Sequence, residues 1–359
     1  MRQTGVGFFM GRVLSLAAML VLFISGYASA AAGKDSAAPA PSTARITILY
    51  DAFGKDASMQ KDWGYAALVE VAGKRILFDT GGDPDIFAHN VKAAGVDLTK
   101  LDFVVMSHRH GDHVGGLSYL LSVNPKVKIY APNDGLGGVF GSDKPSSFYR
   151  KDEKLPAEMR YYDGNPPPVL RLGKAWPGAN IELVDKSTEI SPGITLIAQV
   201  SETPGTRELK ELSLALDTPE GLILIVGCAH PGIEGIVAEA ARINPHIHLV
   251  AGGFHLVTAD DTTIAHVVTA LHETYHIEWI APGHCTGEPT FEALKRAFGE
   301  RYLFAGVGTV LDLGVTRQAR SVAWDFEDHA NYRRLLGGSD DLPTPDTHAP
   351  PLARSTPSD

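Results

Sequence analysis

The stretch Ser107-His108-Arg109-His110-Gly111-Asp112-His113-Val114-Gly115-Gly116-Leu117 constrains this chain more than any other. It places four metal-binding side chains within six residues, between an apolar run, Leu101 to Met106, and a segment from Val114 to Val123 with helical character. The run is expected to be a strand, the cluster the turn at its end, and Asp112 and His113 the start of a helix. Residues two apart on extended backbone point the same way, so His108 and His110 aim both imidazoles to one side. Asp112 and His113 leave at a different angle and can serve a second ion close by. Imidazole nitrogen plus one carboxylate is borderline-soft ligation that suits zinc, with iron or manganese as alternatives. A solvated loop accounts for a lone histidine, but not for three with an aspartate at this spacing.

The same arrangement recurs later. Leu222 to Val226 leads into Gly227-Cys228-Ala229-His230, His248 to Val250 into Gly252-Gly253-Phe254-His255, and Ile277 to Ala281 into Pro282-Gly283-His284-Cys285-Thr286-Gly287. Helical patterns at Ile233 to Ile243, Thr262 to Tyr275 and Thr290 to Phe298 separate them. Strand, polar tip and helix in repetition define an α/β chain with its functional groups along one edge of stacked sheets. Upstream, Arg45 to Tyr50 alternates as a strand, Trp63 to Val71 reads as a second, and Gly73-Lys74 turns into a third at Arg75 to Phe78. That strand stops at Asp79-Thr80-Gly81-Gly82, either a plain turn or a carboxylate that holds a ligand in place from behind. Pro84 to Ala94 has helical spacing with proline in its first turn. From Ala131 to Ala179 the pattern fades into Gly, Pro and aromatic residues, as in an insertion that forms a lid or binding loop. His89, His246, His248, His266, His272 and His276 lack companions of the ligand kind and read as structural or solvated.

The N-terminus reads as a secretory signal: Arg2 and Arg12, an apolar run from Val13 to Ser25, and a small-x-small site at Ala28-Ser29-Ala30. Domain limits follow as a signal peptide at 1–30, a flexible leader at 31–44, the folded domain at 45–313 with its insertion at 131–179, and a C-terminal extension at 314–359. Periplasmic or secreted localisation is expected, with no stable membrane anchor once the signal is cleaved. The net charge of -10, with no basic block, excludes nucleic acid as the expected partner and leaves a small-molecule substrate. Cys228 and Cys285 are the only cysteines. A disulfide between them is conceivable in an oxidising compartment, but each has a competing place beside a metal.

His108-x-His110-x-Asp112-His113, with Asp79-Thr80-Gly81 before it and Pro282-Gly283-His284 after it, resembles the metallo-β-lactamase superfamily. Tyr50-Asp51, Trp63-Gly64, Gly227-Cys228-Ala229-His230-Pro231-Gly232, Gly252-Gly253-Phe254-His255-Leu256 and His284-Cys285-Thr286-Gly287 are similar to its dihydropterin ribofuranosyl-aminobenzene phosphate synthase-like branch. The resemblance spans Arg45 to about Leu313. It implies a four-layer αββα sandwich with one or two metal ions at one edge. His108 and His110 would bind the first ion, and Asp112, His113 and His284 the second. The family's Thr-Pro-Gly-His survives as Thr203-Pro204-Gly205-Thr206, and its bridging Gly-Asp as Gly227-Cys228, so His230 is placed to supply the missing imidazole. Cys228 then binds metal or stands behind it, and His255 touches metal or substrate or is simply hydrogen-bonded nearby. Cys285 is expected to be a buried thiol that points away.

The chemistry implied is metal-assisted hydrolysis of a phosphoester, ester or lactone, with zinc-activated water held in line by Asp112 and a ligand oriented by Asp79. Arg109, Tyr149, Arg150 and Lys154 are candidates for anion contact. Two other readings stand beside the hydrolase: a pterin-linked phosphoribosyl-type transferase or synthase, and a non-catalytic metal-dependent binding or sensing protein.

Overall fold

The computed structural model describes residues 44–134, 139–140, 142–154, 156–172 and 175–313. The expected signal peptide, all but the last residue of the leader, and the C-terminal extension lie outside the described residues. Among the described residues no helix is long and apolar enough to cross a membrane.

Fifteen strands carry the fold: β1 (Arg45–Tyr50), β2 (Ala66–Val71), β3 (Lys74–Phe78), β4 (Phe103–Val105), β5 (Ile129–Pro132), β6 (Ser142–Pro145), β7 (Val169–Leu172), β8 (Ile181–Val184), β9 (Thr188–Ser191), β10 (Ile194–Val200), β11 (Lys210–Thr218), β12 (Gly221–Val226), β13 (Ile247–Gly253), β14 (Trp279–Gly283) and β15 (Val310–Asp312). The α-helices are α1 (Pro84–Ala93), α2 (Gly111–Val114), α3 (Leu117–Val123), α4 (Ile233–Ile243), α5 (Asp261–Thr269) and α6 (Glu288–Phe298). One sheet runs β15-β1-β2-β3-β4-β5-β8 and the other β14-β13-β12-β11-β10-β9.

Side-chain alternation makes four layers of these elements. In β12, Ile223 and Ile225 face the apolar layer between the sheets, where they meet Ile46, Val69, Phe78 and Val105. Their neighbours Leu222, Leu224 and Val226 face the opposite way, onto Ile236, Val237 and Ala240 of α4 and Leu294 of α6. The first sheet does the same: Leu77 and Val104 turn outward onto Phe87 and Val91 of α1 and Leu117 and Leu120 of α3. Strands buried on both faces read as unbroken apolar runs, as β12 does. The result is the αββα sandwich implied by the resemblance.

Two helices differ from expectation. The segment Val114 to Val123 is not one helix but α2 followed by α3, broken at Gly115-Gly116. The backbone passes so close to the turn after β3 that a Cβ on Gly115 would sit 1.8 Å from the Gly82 carbonyl oxygen. The helix expected to run to Tyr275 leaves α-geometry at Ala270, where a π-type turn covers Ala270–Thr274. The insertion holds a short ribbon of its own, β6 against β7. Tyr149 and Arg150 there line a small cavity with Lys151, Arg160 and Tyr161.

Parallel pairing fixes where the site lies. β3, β4, β5 and β8 run parallel, as do β12, β13 and β14. The carboxyl ends of each set therefore open on one rim, the usual place for a site in such sheets.

Candidate metal centre

Most ligand candidates leave the carboxyl end of a strand: His108 and His110 after β4, Cys228 and His230 after β12, His255 after β13, and His284 after β14, while Asp112 and His113 sit on α2. Three residues form the first group. The rings of His108 and His110 lie 4.7 Å apart, those of His108 and His230 4.8 Å, and those of His110 and His230 4.7 Å, a nearly equilateral triangle. The second group joins Asp112, His113 and His284. There, His284 Nε2 is 3.2 Å from His113 Nε2 and 3.4 Å from Asp112 Oδ2. The Cys228 sulfur also gathers with His108 and His113, and with His255 and Cys285 on its other side.

Hydrogen bonds behind the groups decide which nitrogens face inward. Asp79, fully buried, accepts from the Ser107 amide at 2.7 Å, the Ser107 hydroxyl at 2.6 Å and His113 Nδ1 at 2.7 Å. His113 therefore keeps its proton on Nδ1 and presents Nε2 as a lone pair. Ser107 Oγ, having donated to Asp79, accepts from His108 Nδ1 at 2.9 Å, which leaves His108 Nε2 bare. That atom and both ring nitrogens of His230 are buried with no hydrogen-bond partner among the described residues. Buried imidazole nitrogens are rarely left so, and a cation among them satisfies all of them at once.

A model of the metallo-beta-lactamase superfamily matches residues 64–284. The chain belongs to that superfamily. The chain is similar to the 7,8-dihydropterin-6-methyl-4-(beta-D-ribofuranosyl)-aminobenzene-5'-phosphate synthase of Methanocaldococcus jannaschii, 26% identical over 293 residues, which are 74% of this chain and 95% of that protein. Among solved structures it is similar to Tm1679, a metal-dependent hydrolase of the beta-lactamase superfamily. The TM-score is 0.57 at 27% identity, covering 76% of this chain and all of the other. YhfI from Bacillus subtilis, at 12% identity and TM-score 0.50, shares the fold over 76% of this chain and all of its own.

Within this metallo-beta-lactamase fold, two departures noted in the sequence now have a geometry. The Thr203-Pro204-Gly205-Thr206 loop contributes no imidazole; instead it carries His230. Ser201 Oγ and Thr203 Oγ1 donate to the His230 carbonyl at 2.9 and 3.2 Å, and Thr206 Oγ1 lies 2.9 Å from Ser201 Oγ. Cys228, where the family's bridging aspartate is expected, has its sulfur between the two histidine groups and a third cluster.

Cys285 is a correction. It is buried, as expected, but its thiol does not point away: Sγ lies 3.1 Å from Cys228 Sγ, and both cysteines are free. The single helical turn at His284–Thr286 begins at φ 46 on His284, and the Cys285 sulfur accepts from the His255 amide at 3.3 Å. Arg109 is held in an ion pair with Asp134 and belongs to none of the ligand groups. Of the other anion candidates, Tyr149 and Arg150 line the insertion's cavity and Lys154 does not. His246 and His248 pair with Glu278, and His266 with Glu234, away from the centre.

Sequence reasoning missed three supports. Glu211, 2% exposed, accepts the amides of Cys228, Ala229 and His230, each at 2.8 Å. Asp51, fully buried, accepts the His284 amide at 2.9 Å. Ser107 relays Asp79 to His108. An isolated acid at the head of an apolar strand (Glu211) or at its end (Asp51) was the available signal.

The electrostatics suit a cation. Burial holds His108 well below the usual histidine pKa and lowers His110; burial with the neighbouring His255 and His110 takes His230 to about 3. These imidazoles are neutral and free to ligate. Burial works against the charged form of His284, but Asp112 and Cys285 outweigh it and raise its pKa to about 10. Burial pushes Asp112 up, and His284 and His113 overcome that, holding it well below the usual carboxylate range. Burial raises Asp51 to about 7 and raises Glu211. Among the described residues no lysine or arginine pairs with Asp51, Asp79, Asp112 or Glu211. Buried carboxylates are costly unless compensated, and divalent ions at the histidine groups would add positive charge beside Asp51, Asp79 and Glu211.

Proposed function

We propose that this protein is a metal-dependent hydrolase of a phosphoester, ester or lactone, with zinc as its ion. The observation that carries the reading is the unpartnered, inward-facing nitrogen set of His108 and His230 beside the Asp112–His113–His284 group. Zinc-class ions there would supply Lewis acidity toward the substrate oxygen and acidify water to a pKa of roughly 7. The residues of the chain do the rest. His108, His110 and His230 would hold one ion, and His113, His284 and Asp112 a second. Asp79 and Ser107 fix the tautomers of His113 and His108, and Glu211 and Asp51 fix the backbone that carries His230 and His284. Asp112, with about a quarter of its side chain open to solvent, is the acid–base group: its carboxylate can orient the attacking water and pass its proton to the leaving group. Trp63 is 47% exposed with its ring 5.3 Å from that of His284, and gives the substrate an apolar wall. Export by the segment at 1–30 belongs to the same proposal.

The M. jannaschii relative favours a second reading. Its name is that of a synthase of a dihydropterin ribofuranosyl-aminobenzene phosphate, and the likeness covers nearly its full length. A zinc-loaded preparation is therefore assayed on chromogenic phosphodiester, phosphomonoester, lactone and β-lactam substrates, and separately with a pterin and a phosphoribosyl donor. Turnover of a phosphoester, ester or lactone that is lost in Asp112→Asn supports the hydrolase. Turnover only with the pterin pair establishes the synthase. Metal uptake with no turnover in either assay leaves the binding or sensing protein.

A further inference from the structure

The third cluster shares only Cys228 with the histidine groups. Cys228, Cys285 and His255 come from the ends of β12, β14 and β13, and their ligand atoms lie within 4.8 Å of one another. Cys228 Sγ is 3.1 Å from Cys285 Sγ and 3.2 Å from His255 Nδ1. Both sulfurs are buried, while the His255 residue is exposed and forms the mouth. We propose that this cluster is a separate soft-metal site, in which two thiolates and one imidazole take a zinc-class ion and solvent reaches the fourth position past His255.

Four features argue for a built site rather than a chance meeting of thiols. The donor set is one that zinc accepts: thiolate and imidazole in tetrahedral geometry, with a fourth position that can remain open. Zn–S bonds of about 2.3 Å at a tetrahedral angle require sulfurs about 3.8 Å apart, so the pair need open by only a fraction of an ångström. The backbone is shaped around the Cys285 sulfur: the His255 amide donates to it at 3.3 Å, and a Cβ on Gly253 would lie 2.9 Å from it. His255 itself is held at φ 51, a region costly for a non-glycine residue, and that conformation accompanies the Nδ1 contact with Cys228.

Charge allows a third ion so close to the others. The ring of His255 lies 4.2 Å from that of His230, so this site adjoins the first histidine group. A divalent ion on two thiolates adds no net charge there, whereas a neutral ligand set would add two units. Thiolate ligation thus lets the site fill beside an occupied centre.

Cobalt(II) tests this directly, because thiolate ligation gives it an intense near-ultraviolet charge-transfer band that imidazole and carboxylate do not. The full chain, reduced and metal-free, is titrated with Co(II) alongside Cys285→Ser and His255→Ala. Cys285 and His255 stand outside both histidine groups, so the wild type is expected to show the band and to bind one equivalent more than either variant. Cys285→Ser should lose most of the band's intensity. An unchanged band and stoichiometry in both variants would place Cys228 alone as a ligand of the histidine centre and overturn the proposal. So would a wild-type titration with no thiolate band. If Cys285→Ser fails to fold, His255→Ala, altered at an exposed ring, still decides by its stoichiometry.

Discussion

Asp79 Oδ2 accepts a hydrogen bond from His113 Nδ1 at 2.7 Å where both side chains are fully shielded from solvent. The same carboxylate takes two more bonds from Ser107, so one residue sets the tautomers of two ligands on either side of the centre. An Asp79→Asn protein keeps the shape but can no longer accept from all three donors. Loss of such a supporting contact typically weakens metal binding by about 10- to 100-fold. Competition titration against a chromogenic chelator is expected to show that loss with the fold intact by circular dichroism. Equal affinity would mean that Asp79 is a turn residue only.

Glu211 predicts a different phenotype, because it touches backbone rather than ligands. Glu211→Ala strands three buried amides, each costing about 1–3 kcal/mol when left unsatisfied. The protein should melt several degrees lower even without metal, and retain less metal through misplacement of His230. A melting temperature within a degree of wild type would show that those amides find other partners.

Gly115 tests the close approach that splits α2 from α3. Gly115→Ala places a methyl group against the Gly82 carbonyl, and overpacking of this kind costs about 1–3 kcal/mol. Denaturant unfolding should detect the loss, with metal affinity reduced as well because α2 carries Asp112 and His113. An unaffected midpoint would mean that the turn after β3 can retreat.

Metal removal should destabilise the chain. Ion binding only to the folded form at 100 times its dissociation constant stabilises by about 2.7 kcal/mol. The buried carboxylates of Asp51, Asp79 and Glu211, none of them paired with a lysine or arginine among the described residues, point the same way, since the cations add positive charge beside them. Chelation is expected to lower the melting temperature and zinc to restore it, followed by differential scanning calorimetry. A melting temperature indifferent to both would contradict the charge argument.

The parts readable from sequence are those encoded locally. His108, His110, Asp112 and His113 lie on one strand end and one helix start, so their spacing carries their geometry. α4 follows the periodicity of its own residues, Ile233 to Ile243, and was readable for the same reason. Glu211 was not, because its role comes from register: Leu214 pairs with Ile225, which sets Glu211 opposite Cys228 across strands. Cys285 lies in a short helical turn, His284–Thr286, with positive φ at His284, which residue order alone does not reveal. The break at Gly115 required knowing that a turn more than thirty residues earlier packs against it.

The most direct test is anomalous diffraction at the zinc edge from crystals of zinc-loaded protein. The account predicts one peak within bonding distance of His108 Nε2, His110 and His230, and another among Asp112, His113 and His284. No anomalous density near His108 Nε2, or imidazoles of His230 and His284 turned away from the rim, would contradict it.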